Sequence, residues 1–334
     1  MLSQVSALDP VAVIGGRCFT GLRDVTDDPA ALDSAGTWVV VVQFEGALTC
    51  ARFDDVGPLP PAGPWVGPPL ESWTTSLERE AYCKGVVEIR EAIAAGDVYE
   101  VNLCRVLSAP TPSTADVVAL GAALRASNPA PYAAAVRVPG VELASASPEL
   151  FLRRDGERVM SRPIKGTART GAAFTAKDVA ENVMIVDLVR NDLGRVCEYG
   201  SVEVPALCAR EVHPGLDHLV STVEGRLRAD AGWPELLDAA FPPGSVTGAP
   251  KLAALDVIRA LEPVGRGPYC GAIGWIDGDE GIGELNVAIR TFWIEGDSLH
   301  FGTGGAVTWD STPEGEWAET ELKAARLLAA ASRF

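Results

Sequence analysis

The sequence lacks the basic excess that a nucleic-acid surface needs. Its 45 acidic residues outnumber 28 basic ones, for a net charge of −17, and phosphate binding calls for the opposite balance. No apolar run approaches the ~20 residues that cross a bilayer, so no membrane partner is expected. The opening residues MLSQVSALDP have no basic stretch followed by an apolar one, and a signal peptide is therefore not expected. The seven cysteines (Cys18, Cys50, Cys83, Cys104, Cys197, Cys208 and Cys270) are odd in number and widely spaced, and no CxxC pair occurs. That excludes a zinc site or a full disulfide framework and reads as reduced thiols in a cytoplasmic protein. Internal repeats and low-complexity tracts are absent too.

What is present is core. Hydrophobic residues make up 47% of 334 positions, enough for one large domain or two intimately packed lobes. Residues 1–56 read as short strands joined by polar loops, Thr37–Phe44 the clearest. The stretch 56–69, VGPLPPAGPWVGPP, reads as a linker. It sets off an N-terminal β-rich segment with its linker, 1–69, from a main domain, 70–334. Thr75 and Glu78 have capping-box spacing ahead of an apolar stripe, Tyr82, Val86, Ile89 and Ile93, and Gly96 ends that helix. A strand is expected over Val98–Leu107 and a helix over Thr114–Ala126. Tyr132–Val138 and Val141–Ser145 flank Pro139-Gly140, and Leu150–Arg154 and Arg158–Arg162 flank Asp155-Gly156; both read as hairpins.

A central helix is expected over Lys177–Asp192, and another after Pro250 at its first position. Strands follow over Gly271–Asp277, Gly283–Trp293 and Leu299–Gly304. Ser311 is the expected cap of a last helix opened by Pro313 and Glu314. Helices and strands intermingle without a regular βαβ rhythm, which favours an α+β fold over a Rossmann fold or barrel.

Several residues could carry chemistry, each with a bland reading beside it. Glu316, Glu319 and Lys323 lie at i, i+3 and i+7 of the last helix and share a face. They could serve a hard cation and an anionic ligand, or form a solvated face. Glu181 could add a third carboxylate, or belong to a buried helix satisfied by its neighbours. Lys165, in Pro163-Ile164-Lys165-Gly166-Thr167, could be desolvated into a neutral nucleophile helped by Arg162 or Arg169, or simply be exposed. The loops FPPGSVTGAPK (241–251) and GTGG (302–305) could cradle carboxylates through backbone N–H groups, or be tight turns. His218 is one of three histidines and could be catalytic or structural.

Taken in order, GDVYEVNL, ASPELF, RPIKGT, AENVMIVDLVRNDLGRV, HLVSTVEG, GSVTGAPK, YCGAIGW, AIRT, FGTGGAV and DSTPEGEWAETELKA resemble the chorismate-utilising enzymes. That family includes anthranilate synthase component I, aminodeoxychorismate synthase component I, isochorismate synthases and salicylate synthases. The resemblance runs from about Ser76 to Ala330. It implies a four-layer α/β/β/α fold, two packed sheets with helices outside and the site between them. It makes Glu181, Glu316 and Glu319 magnesium carboxylates and Glu149 a general acid for the departing C4 hydroxyl. Tyr269, Arg290, Gly304, Gly305 and Lys323 would hold the two carboxylates of chorismate, while His218 and Thr247 would line the ring.

Lys165 points to the aminodeoxychorismate branch, because anthranilate synthases that resemble it usually read PIAGT. The lysine would add at C2 as the C4 hydroxyl leaves, and ammonia would then enter at C4, as in para-aminobenzoate and folate biosynthesis. Such an enzyme is a transferase of the transaminase class. Glu100 stands where isochorismate and salicylate enzymes carry a lysine base and many amino-transferring relatives carry glutamine. Only 15 residues (166–180) separate Lys165 from Glu181, about a dozen fewer than in relatives, so a trimmed surface loop is expected. The short N-terminal portion makes tryptophan binding doubtful. No glutaminase signature is present, so a separate glutamine amidotransferase subunit would supply ammonia. The alternatives are anthranilate synthase component I and a catalytically silent chorismate-family binding subunit.

Overall fold

The computed structural model describes residues 9–59, 63–112, 114–213 and 216–332. Four strands open it, β1 (Val11–Ile14), β2 (Arg17–Thr26), β3 (Thr37–Val42) and β4 (Leu48–Gly57). β5 (Thr74–Thr75), α1 (Arg79–Ala95), β6 (Glu100–Pro110) and α2 (Val117–Ser127) follow. The centre holds β7 (Tyr132–Val138), β8 (Val141–Ser147), β9 (Leu150–Asp155), β10 (Arg158–Arg162), β11 (Ile164–Arg169) and α3 (Ala176–Gly194). Next come β12 (Glu203–His213), β13 (Leu216–Arg226), α4 (Trp233–Ala240), β14 (Gly248–Ala249) and α5 (Lys251–Leu261). The chain closes with β15 (Ala272–Asp277), β16 (Ile282–Val287), β17 (Thr291–Glu295), β18 (Ser298–Val307) and α6 (Pro313–Ala331).

All strand pairs are antiparallel and form one continuous ladder in two halves. One half runs β6–β18–β17–β8–β7–β1. The β1–β2 hairpin carries the ladder into the other, β2–β4–β3–β15–β16–β9–β10–β13, with β11 and β12 also paired to β13. The N-terminal strands thus hydrogen-bond into the same sheet system as the rest. Helices α1, α2, α5 and α6 pack on strands of the first half, and α3 packs on β11–β13. Inward residues of both halves, such as Val101, Leu143, Val40, Ile273 and Leu152, share one buried core. A second core, with Leu120, Phe292, Phe301 and Leu327, fills the space under α2 and α6. The expected α+β architecture with helices outside is what forms, its two packed halves joined through the β1–β2 hairpin into one ladder. Among the described residues no helix is long and apolar enough to cross a membrane.

Both hairpins turn where glycine was expected to turn them, with Gly140 at φ 79° and Gly156 at φ 59°, a region that glycine enters without a Cβ penalty. Gly96 ends α1 in the left-handed conformation. Other local expectations fail for identifiable reasons. Thr75 does not cap α1; its hydroxyl donates to the Leu77 carbonyl (3.0 Å) and it lies in β5, while Glu78 sits at the cap position without a side-chain cap bond. Pro250 is the residue before α5, not its first residue. Thr312, rather than Ser311, caps α6, accepting from Gly315 N. The expected strand Gly283–Trp293 is two strands, because the backbone at Arg290 adopts φ 54° and turns the chain. β12, β13 and α4 had no sequence expectation. Most of β13 is buried on both faces, which erases the period-two pattern that marks a half-exposed strand.

Candidate active site

The last helix and the last strand build one wall. Glu316, Glu319 and Lys323 face β18, where Gly304 and Gly305 lie. A Cβ on Gly305 would stand 2.9 Å from Glu316 Oε2 and 3.9 Å from Glu319 Oε1, so glycine is what lets Glu316 approach the strand, while Glu319 stands at ordinary contact distance. Lys323 Nζ bonds Glu319 Oε1 at 2.7 Å and donates to the Gly304 carbonyl at 3.0 Å.

Glu181 arrives from α3, and Lys177, one turn earlier, links the two walls. Its ammonium lies 3.6 Å from Glu181 Oε1 and 3.5 Å from Glu316 Oε1, and it donates to Ser311 Oγ at 3.3 Å. Sequence reasoning missed Lys177, although its i, i+4 spacing to Glu181 was a signal. Burial pushes the Glu181 carboxyl up to about 7, against the pull of Lys165 and Lys177 and with help from Glu100 and Glu319. Burial likewise raises Glu316, opposed by its bond to Ser311. At Glu319 burial pushes upward too, but Lys323 outweighs it and the carboxyl ends below its ordinary range. Glu316 Oε2 is buried without a hydrogen-bond partner among the described residues. Among the described residues no group of three or more His, Cys, Asp or Glu converges as a ready-made metal cage.

Across from this wall, β11 presents Lys165 to β6. Lys165 Nζ sits 2.7 Å from Glu100 Oε1, with Lys165 8% exposed and Glu100 fully buried. Glu100 Oε2 has no hydrogen-bond partner among the described residues. The expected depression of the Lys165 pKa is therefore corrected. Burial does work to lower it, but Glu100, Glu181 and Glu149 together raise it above the ordinary lysine value. Arg162 does not push it down, being paired with Glu211 and placed 3.4 Å from Thr222 Oγ1; the Arg169 side chain lies outside the described residues. Sequence reasoning marked Glu100 as unusual without finding its partner, which lies 65 positions away.

Glu149 lies just before β9 and is buried. Its Oε1 accepts from Ile164 N at 3.4 Å, next to Lys165. Burial pushes this carboxyl up to about 7, opposed by a hydrogen bond from Ser245, by Lys165, by Ile164 N–H and by Arg290. A small pocket lined by Glu149, Ser161, Asp192, Pro243 and Ser245 opens beside it. At half-buried Arg290, burial and Arg326 lower the guanidinium pKa, while Glu149 opposes them.

The remaining expected residues surround this centre. Thr247 is fully buried, and its hydroxyl donates to the carbonyls of Pro243 (3.1 Å) and Gly244 (3.3 Å). That bonding stiffens the loop carrying Ser245. Tyr269 stacks over Gly302, where any Cβ would overlap its ring; it lies among Cys104, Cys270 and Arg266 rather than beside the acids. His218 is buried on β13, in register with Thr167 and Glu211.

The fold thus gathers buried carboxylates and lysines between its strands and helices α3 and α6. Residues 45–329 match the model of the chorismate binding enzymes, and the chain belongs to that family. It is 44% identical over 332 residues to an aminodeoxychorismate synthase of Streptomyces pristinaespiralis, covering 94% of this chain and 44% of that one. It is 40% identical over 277 residues to an anthranilate synthase component 1 of Haloarcula marismortui, covering 78% and 56%. Aminodeoxychorismate synthase component 1 of Escherichia coli is 38% identical over 268 residues, covering 77% and 58%. The chain thus spans about half the length of these curated relatives. The fold also matches the solved anthranilate synthase component I of Streptococcus pneumoniae, with a TM-score of 0.79 at 22% identity over 98% and 94% of the two chains.

Proposed function

We propose that the protein is the chorismate-binding component of an aminodeoxychorismate synthase, converting chorismate and ammonia into 4-amino-4-deoxychorismate in para-aminobenzoate and folate biosynthesis. The observation that carries this reading is that Lys165 and Glu149 lie at one buried centre, where Glu149 accepts from Ile164 N, the residue next to Lys165, and each acts on the other through space. Lys165 Nζ attacks C2 of chorismate while Glu149, protonated below about pH 7, hands its proton to the departing C4 oxygen. Ammonia then adds at C4 and the lysine leaves. Tyr269, Arg290, Lys323 and the backbone at Gly304 and Gly305 hold the substrate carboxylates, and Thr247 and His218 line the ring.

Magnesium fits the acidic wall by the chemistry of its donors. Glu181, Glu316 and Glu319 offer the oxygen ligands that a hard cation takes, and the orphaned Oε2 of Glu316 is an acceptor in want of a partner. Lys177 holds the acids together and would yield to the ion. When bound, magnesium would neutralise a carboxylate of the substrate. A separate glutamine amidotransferase subunit would supply ammonia, in a cytoplasmic setting.

The competing reading is anthranilate synthase component I, since relatives with that name are 40% identical. Lys165 favours the first reading, because direct attack of ammonia at C2 needs no lysine nucleophile. Incubation with chorismate, an ammonium salt and magnesium, followed by product analysis, tests it. The expected product keeps the pyruvyl ether. Release of pyruvate with anthranilate would establish the competing reading, and absence of turnover would mark a silent binding subunit.

A further inference from the structure

We propose that Glu100 is the proton acceptor that turns the Lys165 ammonium into a nucleophilic amine. The inference rests on the covalent role of Lys165 proposed above. Among the described residues, Glu100 is the carboxylate that reaches Lys165 Nζ, at 2.7 Å. Glu181 from α3 and Glu149 from the segment before β9 act on the lysine through space, and Glu319 on α6 senses it from the far wall. Lys177 and Arg290 face those acids, not the amine.

Glu100 is held firmly. It pairs with Ala249 in the two-residue strand β14, Tyr99 N donates to the Ala249 carbonyl at 2.7 Å, and Asn102 N donates to the Thr247 carbonyl at 2.8 Å. Gly248 packs so closely on the Glu100 carbonyl that a Cβ there would overlap it. The carboxylate is fixed and fully buried, and its Oε2 has no hydrogen-bond partner among the described residues. An ion pair in such a place carries a heavy desolvation cost. Moving one proton from Nζ to Oε1 yields a neutral amine beside a neutral acid, which relieves that cost without sending a proton to solvent.

The proton and electron accounting closes. The Nζ–H bond breaks and an O–H bond forms on Glu100. The Nζ lone pair makes a bond to C2, both conjugated ring double bonds shift by one position, and the C4–O bond breaks. Glu149 protonates that oxygen, which leaves as water. Ammonia then makes a bond to C4, both double bonds shift back, and Nζ departs from C2 with its electron pair. The new C4 ammonium gives a proton to Glu149, and Glu100 returns its proton to Nζ. Nothing is oxidised or reduced, and both acids end as they began.

The Glu100→Gln variant keeps the shape and loses the acceptor. Wild type and variant are mixed with chorismate and magnesium without ammonia, quenched at intervals from pH 6 to 9, and digested. Mass spectrometry then reads the Lys165 peptide for a chorismate adduct less water. The readout is the ratio of adduct rates, variant over wild type, which cancels the titration of Glu149. The ratio should be about 0.1 or lower at pH 6 and climb toward one by pH 9, since the variant must lose the proton to solvent. A ratio near one throughout would show an amine already neutral without Glu100 and overturn the inference alone. An adduct on neither protein, or on another residue, would overturn the covalent reading and this inference with it. Glu100→Asp guards against misfolding: it should react more slowly, with a pH-independent ratio, and a ratio that climbs with pH would count against the acceptor role.

Discussion

Replacing Glu149 with glutamine should make the protein more stable at pH 8 while abolishing turnover. The carboxyl is buried and its pKa rises from 4.5 to about 7. That rise corresponds to roughly 3 kcal/mol of differential interaction. Because the folded pKa lies above the unfolded one, the native state binds the proton more tightly. Stability is greatest where both states are protonated, below about 4.5, and is lost as pH climbs to about 7, beyond which the full cost applies. Glutamine is never ionised and escapes this cost. Denaturant unfolding of wild type and Glu149→Gln at pH 5 and pH 8 isolates the effect, because Glu181, also raised to about 7, is common to both proteins. The variant should gain on wild type by about 2–3 kcal/mol between the two conditions, as expected for an acid kept protonated at the expense of the fold. A difference that does not change with pH would refute the claim that burial holds this proton. Retained activity would refute the acid role.

Other perturbations probe the walls. Glu316→Ala and Glu319→Ala should each weaken the magnesium dependence of turnover at least tenfold; if both keep the wild-type magnesium titration, the metal assignment fails. Gly305→Ala puts a Cβ 2.9 Å from Glu316 Oε2 and should raise KM for chorismate several-fold, while stability stays within about 1 kcal/mol, as for other substitutions met by a movable side chain. Lys165→Ala should lose C4 amination and strand Glu100 as an unpaired buried charge, costing about 3–5 kcal/mol. The Lys165→Ala/Glu100→Gln double variant should recover most of that stability in denaturant unfolding without regaining activity, and a double variant as unstable as the single one would contradict the pairing.

What the sequence disclosed was local. A helix stripe ending at Gly96 depends on neighbours a few positions apart, and so do the two hairpin glycines. The shared face of Glu316, Glu319 and Lys323 follows from helical spacing alone. The cap of α1 was misjudged because the Thr75 hydroxyl is taken up elsewhere: it donates to the Leu77 carbonyl and accepts from Arg105, 30 positions away. Tertiary partners were the harder part. Glu100 and Lys165 meet only because the loop carrying Thr247 and β14 seats the start of β6 in front of β11. Taken alone, the context Ile164-Lys165-Gly166 suggests a neutral, desolvated amine. The fold supplies a counter-ion that reverses the sign.

The site also explains how an acidic chain can receive an anionic substrate. Its charges alternate: Glu100 against Lys165, Lys165 between Glu149 and Glu181, Lys177 between Glu181 and Glu316, and Lys323 on Glu319. Arg290 faces Glu149. Five carboxylates, Glu100, Glu149, Glu181, Glu316 and Glu319, face four cationic groups, Lys165, Lys177, Lys323 and Arg290, so one proton held by Glu149 or Glu181, both raised to about 7, balances the site. Under the proposed reaction, the substrate brings two negative charges and magnesium two positive ones, so loading keeps that balance. Ionising Glu149 early would add an uncompensated charge in a dry pocket, where electrostatic costs are highest. The surface charge of the chain therefore says little about its ligand; the balance that selects an anion and a cation together is set locally, by which of these buried acids keeps its proton.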